Sequence, residues 1–249
     1  MQGQTEALSE SEVVENAYEY KFLSDSLVPL RNPVGEDIRY DGTAGIVPDG
    51  KKSVADWIKD HVLGSACSGY TNMVPEFCRA YIMETGKEIL AVHAAKGSTE
   101  IHQWLPGTDG YDILVKKSLA AIKKADKVDK IYFVWLQGES DAIYSKTKAY
   151  YKEKITELNE ELKKDLEIDK FGVIRVGHFT KDERDIEIID AQTEICEENP
   201  DFLMLTKIAT EINQQPEYMN PYVAGHYSAK GLEILGSLSG EALGKFRNK

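Results

Sequence analysis

The stretch IYFVWLQGESDA, residues 131–142, starts as an unbroken apolar run and ends in Gln137, Gly138, Glu139 and Asp141. Continuous apolar residues read as a strand buried on both faces, as in a parallel sheet covered by helices. Gly138 supplies a flexible backbone for the turn that follows, and Ser140 or Asp141 has the chemistry to cap a helix. Capping does not account for Gln137 and Glu139, two polar side chains placed together at a strand end.

Outward from this strand, the same alternation recurs. Glu88–Ala95 reads as a short apolar strand running into Lys96-Gly97-Ser98-Thr99, and Phe171–Val176 and Phe202–Leu205 as further strands. Between them lie helical periodicities at Tyr111–Lys124, Tyr144–Leu166 and Asp182–Glu198, with a last helix over Ser228–Phe246. Upstream, Ser53 can cap a short helix through Leu63, and Asn72–Glu84 carries Val74, Phe77, Tyr81 and Ile82 at helical spacing before Gly86. Residues 1–50 hold turn formers and little periodicity, which predicts an irregular, loop-rich start without a core strand. Strands of this length alternating with helices predict an α/β fold, a parallel sheet covered on both faces, in one domain over 1–249. In such sheets ligands bind beyond the carboxyl ends of the strands. Gln137–Asp141 and Gly97–Thr99 both follow strands, and His226 precedes the last helix.

Composition narrows the function classes. The chain has 249 residues and a formal net charge of -12, with acidic residues in every region. Nucleic-acid and anionic-membrane surfaces require basic patches, so neither partner is expected. No run of about 18 apolar residues suggests a membrane span, and the first residues lack the basic-then-apolar order of a signal peptide, so a cytoplasmic protein is the expectation. Cys67, Cys78 and Cys196 form neither a disulfide framework nor a zinc spacing.

WLQGESDA resembles the W-x-Q-G-E-x-D block of the carbohydrate O-acetylesterases of the SGNH hydrolase superfamily, which hold sialate O-acetylesterases and acetylxylan-esterase-like proteins. AAKGSTEIHQW (94–104) is similar to that group's glycine block, and AGHYSAKGLEILG (224–236) to its last block, where a histidine precedes the C-terminal helix. The segment GSACSGYTNMVPEFCRAYIMETGKEI resembles the helix placed before the glycine block, so the likeness covers roughly residues 64–240 in order. It implies a three-layer α/β/α sandwich with a central parallel sheet, flavodoxin-like in layout, and an ester hydrolase needing no metal or cofactor. Its substrate would be an acetylated carbohydrate.

The resemblance also implies roles. Gly97 would give a backbone N–H to the oxyanion and Gln137 a side-chain donor, with His226 as general base. Glu139 would orient a neighbour or accept from a sugar hydroxyl, and Ser98 and Gln4 would contact substrate. The family's Gly-Gln-Ser-Asn nucleophile block matches Gly3-Gln4 only in part: Thr5 stands where serine is expected and Glu6 where asparagine is. The aspartate expected three residues before the histidine is Val223. These two departures support a second expectation, a catalytically impaired homologue that binds carbohydrate. A glycosidase would need a second carboxyl group facing Glu139, and the spacing supplies none. His178, at a strand end, has no place in the resemblance.

Overall fold

Helix caps and strand composition decide where each element begins. In a computed structural model, which describes residues 12–32, 34–35, 71–221 and 225–249, the strands in chain order are β1 (Ala17–Lys21), β2 (Ser26–Pro29), β3 (Ile89–Ala91), β4 (Tyr132–Trp135), β5 (Lys170–Ile174) and β6 (Phe202–Thr206). The α-helices are α1 (Val74–Thr85), α2 (Asp109–Lys124), α3 (Glu139–Ile143), α4 (Lys148–Leu166), α5 (Asp185–Glu198), α6 (Ala209–Ile212) and α7 (Ala229–Arg247). The described residues divide into two compact units: one holds the chain up to Ala95 and from Gln215 onward, the other Lys96–Gln214.

In the first unit β1 is central, pairing antiparallel with β2 and parallel with β3. This corrects the expectation of a start without core strands. Ala17, Glu19 and Tyr20 of β1 are buried, Glu19 to 1% exposure. Its carboxylate is matched by Lys21 Nζ at 2.8 Å and by the Gly35 N–H at 2.7 Å. Those partners offset the desolvation of a buried charge. A charged residue facing inward is what removed the strand's hydrophobic pattern.

The helix expected over Asn72–Glu84 is α1, with Pro75 in its first turn and Gly86 (φ 64°) closing it through an N–H to Ile82 O at 2.7 Å. It packs along α7, whose Gly236, Gly240 and Gly244 recur every fourth residue on one face. A β-carbon at Gly236 or Gly240 would run into the carbonyl oxygens of Met73 and Phe77. Glycine on this stripe therefore sets how closely the two helices approach.

In the second unit β4, β5 and β6 form a parallel sheet in sequence order, with Phe133 opposite Phe171 and Phe171 opposite Phe202. Aromatic rings fill its centre: Phe171 lies 4.9 Å from Phe133 and 4.9 Å from Phe202, centroid to centroid. The apolar stripe expected on the long helix is buried as Tyr151, Ile155, Leu158, Leu162 and Leu166. The helix itself starts later than its periodicity suggests. Ser145 takes a left-handed conformation (φ 56°), and Thr147 caps α4 by accepting the Tyr150 N–H at 3.2 Å. The turn ahead of that cap belongs to the short helix α3. No helix among the described residues is long and apolar enough to cross a membrane.

Candidate active site

Parallel pairing brings the carboxyl ends of β4, β5 and β6 to one edge of the second unit's sheet. Gln137 leaves that edge two residues after β4. Its neighbour Gly138 has φ 148°, and a β-carbon there would sit 2.6 Å from Ile188 Cγ2. Only glycine fits this turn on both counts. The backbone then enters α3 with Glu139 as its first residue.

The Gln137 side chain is buried and fully engaged. Its Nε2 donates to Thr99 O at 2.9 Å and to Asp141 Oδ2 at 2.5 Å. Two acceptors on the same atom fix that end as nitrogen. Its Oε1 faces Tyr151 OH at 3.2 Å. Tyr151, in turn, accepts from Trp135 Nε1 and from Gln192 Nε2, each at 3.1 Å, and hydrogen-bonds the Gln137 carbonyl at 2.8 Å. Gln192 also donates to that carbonyl, at 2.7 Å. Burial pushes the Tyr151 hydroxyl well above the ordinary tyrosine range, so it stays protonated within this network.

Asp141 is not a helix cap. It is fully buried, and its Oδ2 also accepts the Ile101 N–H at 2.9 Å. Burial pushes its carboxyl above the ordinary range, while the hydrogen bonds from Gln137 and Ile101 pull it down. Its Oδ1 is buried with no hydrogen-bond partner among the described residues. Gln137 and Asp141, bonded to each other, thus join the turn after β4 to the segment 97–104 by two hydrogen bonds.

That segment is built by local chemistry. Gly97 and Ser98 form an exposed turn, with Ser98 left-handed at φ 59°. Left-handed backbone on a non-glycine residue is strain that the surroundings must hold in place. Thr99 anchors it: its hydroxyl donates to Lys96 O at 2.8 Å and accepts Trp104 Nε1 at 3.0 Å. Glu100 and Gln103 form a reciprocal capping box over the 3-10 turn Ile101–Trp104. The Gly97 N–H makes no hydrogen bond among the described residues.

Of the residues singled out from sequence, the structure brings Gly97, Ser98, Gln137 and Glu139 into one constellation in the second unit. Glu139 is half-buried, and its Oε1 is a buried acceptor without a hydrogen-bond partner among the described residues. His226 belongs to the first unit. It is half-buried, its carbonyl accepts the Asn220 N–H at 2.8 Å, and two residues later Ser228 caps α7 by accepting the Gly231 N–H at 3.3 Å. Gln4, Thr5 and Val223 lie outside the described residues. Sequence reasoning missed Asp141 as a brace, along with Thr99, Tyr151 and Gln192. Gln192 had a visible signal, a polar residue inside the apolar stripe of Ile188, Ile189 and Ile195.

Residues 67–240 match the family described as carbohydrate esterase, sialic acid-specific acetylesterase. This chain belongs to that family. The matched region contains the constellation around Gln137 and also His226. A search among curated proteins returned no match. Two solved structures share this chain's α/β fold. One is a protein from Arabidopsis thaliana, 17% identical, TM-score 0.58, with 93% of this chain and 81% of that one covered. The other is NanS, 13% identical, TM-score 0.58, with 94% and 89% covered. At these identities the likeness concerns the fold. It agrees with the α/β class and parallel sheet expected from the strand–helix alternation.

An amide has two N–H groups, and both of those on Gln137 are committed, to Thr99 and Asp141. In this arrangement Gln137 holds the segment that follows the glycine turn.

Proposed function

We propose that this esterase removes acetyl groups from sugar hydroxyls by a hydroxyl–histidine mechanism, with residues 1–249 acting as one SGNH-type domain. The observation that carries the reading is the Gln137 Nε2 to Thr99 O hydrogen bond of 2.9 Å, which joins the two motif blocks beside Gly97, whose N–H makes no hydrogen bond among the described residues. A preformed, unsatisfied N–H is what a developing oxyanion requires.

In this reading the Thr5 hydroxyl attacks the acetyl carbonyl carbon as His226 takes its proton. Negative charge collects on the carbonyl oxygen, where Gly97 N–H stabilises it. Collapse expels the sugar oxygen, which receives the proton from His226, and leaves an acetyl ester on the nucleophile. Water, deprotonated by His226, then releases acetate and restores the hydroxyl. Ser98, Glu139 and Gln4 contact the substrate in this reading. Val223 stands at the position of the family's aspartate, so that position supplies no carboxylate to the imidazole.

The test is acetate release from O-acetylated sialic acid and from p-nitrophenyl acetate, with His226→Ala expected to abolish both. A second reading, a carbohydrate-binding protein descended from an esterase, is favoured by Thr5 and Val223 together. It is supported if the chain binds acetylated sugars, releases acetate from neither ester, and keeps its affinity in His226→Ala.

A further inference from the structure

The carboxyl edge of β5 carries a second cluster that the acyl chemistry does not use. Past β5 the chain runs through Gly177 to His178, and a loop then leads into α5. A β-carbon at Gly177 would lie 2.5 Å from Ala209 O and from Asn213 Nδ2, so glycine allows this loop to close against the end of α6. Between the two runs an open cleft of about 550 Å³, lined by His178, Phe179, Lys181, Glu183, Ile186 and Asn213 among others. That volume falls within the range of small-molecule sites.

The loop is rigidly held. Asp185, 1% exposed, accepts the Phe179 N–H at 2.6 Å and the Thr180 N–H at 2.9 Å through Oδ2, and Thr180 Oγ1 accepts the Asp185 N–H at 3.2 Å. The other carboxylate oxygen makes no hydrogen bond and lies 3.6 Å from His178 Nδ1. A buried carboxylate thus lies beside an imidazole that is itself 46% exposed and lines the cleft. The Asn213 and Gln214 side-chain amides both donate to the His178 carbonyl, which fixes the backbone beneath that ring. Arg184 in the same loop donates to Ile143 O at the end of α3, tying the cleft to the helix that follows Gly138.

We propose that this cleft is the subsite for the sugar moiety of the ester, with His178 and Glu183 hydrogen-bonding its hydroxyls. The sugar identity rests on the esterase reading above; the cleft and its polarity do not. Lys181 and Glu183 are exposed, and neither side chain has an ion pair or hydrogen bond among the described residues. One offers donors and the other acceptors, so a hydroxyl, which is both, satisfies each. A phosphate or an amine would meet one partner and one repelling charge. Phe179 is half-buried and Ile186 is 39% exposed, giving an apolar wall for the C–H face of a pyranose. A preformed site of this kind avoids much of the ordering cost of binding.

His178→Ala and Glu183→Gln alter exposed side chains and should fold normally, which circular dichroism would verify. Expected for each is a rise of about tenfold or more in KM for O-acetylated sialic acid, a kcat within about twofold of wild type, and unchanged hydrolysis of p-nitrophenyl acetate. An unchanged KM in both variants overturns the proposal. So does an equal loss on both esters, which would make His178 part of the acyl chemistry. Saturation-transfer NMR with free sialic acid, xylose and N-acetylglucosamine decides independently of hydrolysis. Wild-type contact with at least one sugar that both variants lose supports the subsite even if no ester is cleaved. No contact, or contact that survives both substitutions, refutes it while leaving the esterase reading to its own assay.

Discussion

Asp141 sits where the residue scale matters most: one carboxylate oxygen holds both Gln137 and the Ile101 backbone. If this brace positions the Gly97 turn, truncating it should act on kcat rather than KM. Asp141→Ala is expected to lower kcat on acetyl esters by roughly 10- to 100-fold with KM little changed, and Asp141→Asn, which keeps one acceptor oxygen, by less. Gln137→Ala should behave like Asp141→Ala, and the double variant should lose less than the product of the two, because both remove one brace. Multiplicative losses in that cycle would separate the two residues. The same carboxyl has a folded-state pKa raised by burial. Its stabilising contribution is therefore fully present below the unfolded pKa and is lost as pH rises through the folded one. The non-titrating Asp141→Asn should lose Tm relative to wild type as pH falls from neutral into the carboxylate range. Calorimetry across that range checks the sign.

At the scale of elements, the two long helices α4 and α7 are specified differently. On α4 the apolar stripe and the Thr147 cap suffice, and Thr147→Ala should cost about 1 kcal/mol in urea denaturation without changing packing. On α7 the decisive residues carry no side chain. Gly240→Ala places a methyl group against the Phe77 carbonyl, and neither helix backbone can yield locally. The expected loss is roughly 1–3 kcal/mol, from overpacking against a main chain. A neutral or stabilising Gly240→Ala would mean that α1 and α7 are less tightly packed than their glycine stripe indicates. The boundary between α3 and α4 belongs to this scale too. Periodicity alone joins Tyr144 to the long helix, because a helical repeat does not register a left-handed residue such as Ser145.

For the molecule as a whole, a net charge of -12 acts at long range on any charged substrate. A sialate ester is an anion, and p-nitrophenyl acetate is neutral. Raising ionic strength from about 10 to about 150 mM shortens the screening length from about 30 to about 8 Å. The kcat/KM for the sialate ester should rise severalfold over that interval while the aryl ester is unaffected. A fall for the sialate ester would reveal a local positive field strong enough to override the overall charge.

The sequence by itself determined the α/β class and that strands run through 132–135, 171–174 and 202–205. Apolar runs and helical periods are local patterns, and local patterns survive without coordinates. What only the tertiary structure decided are properties set by which partners the fold brings into contact. Glu19 can occupy a core strand because Lys21 and Gly35 meet its charge. Asp141 braces rather than caps because the Ile101 N–H, forty residues away, points at it. Gln137 holds the segment after the glycine turn because Thr99 and Asp141 take both its hydrogens. His178 lies against a buried carboxylate because the loop after β5 folds back onto Asp185. In each case the residue type permits several uses, and the hydrogen-bonding geometry of the folded chain selects one.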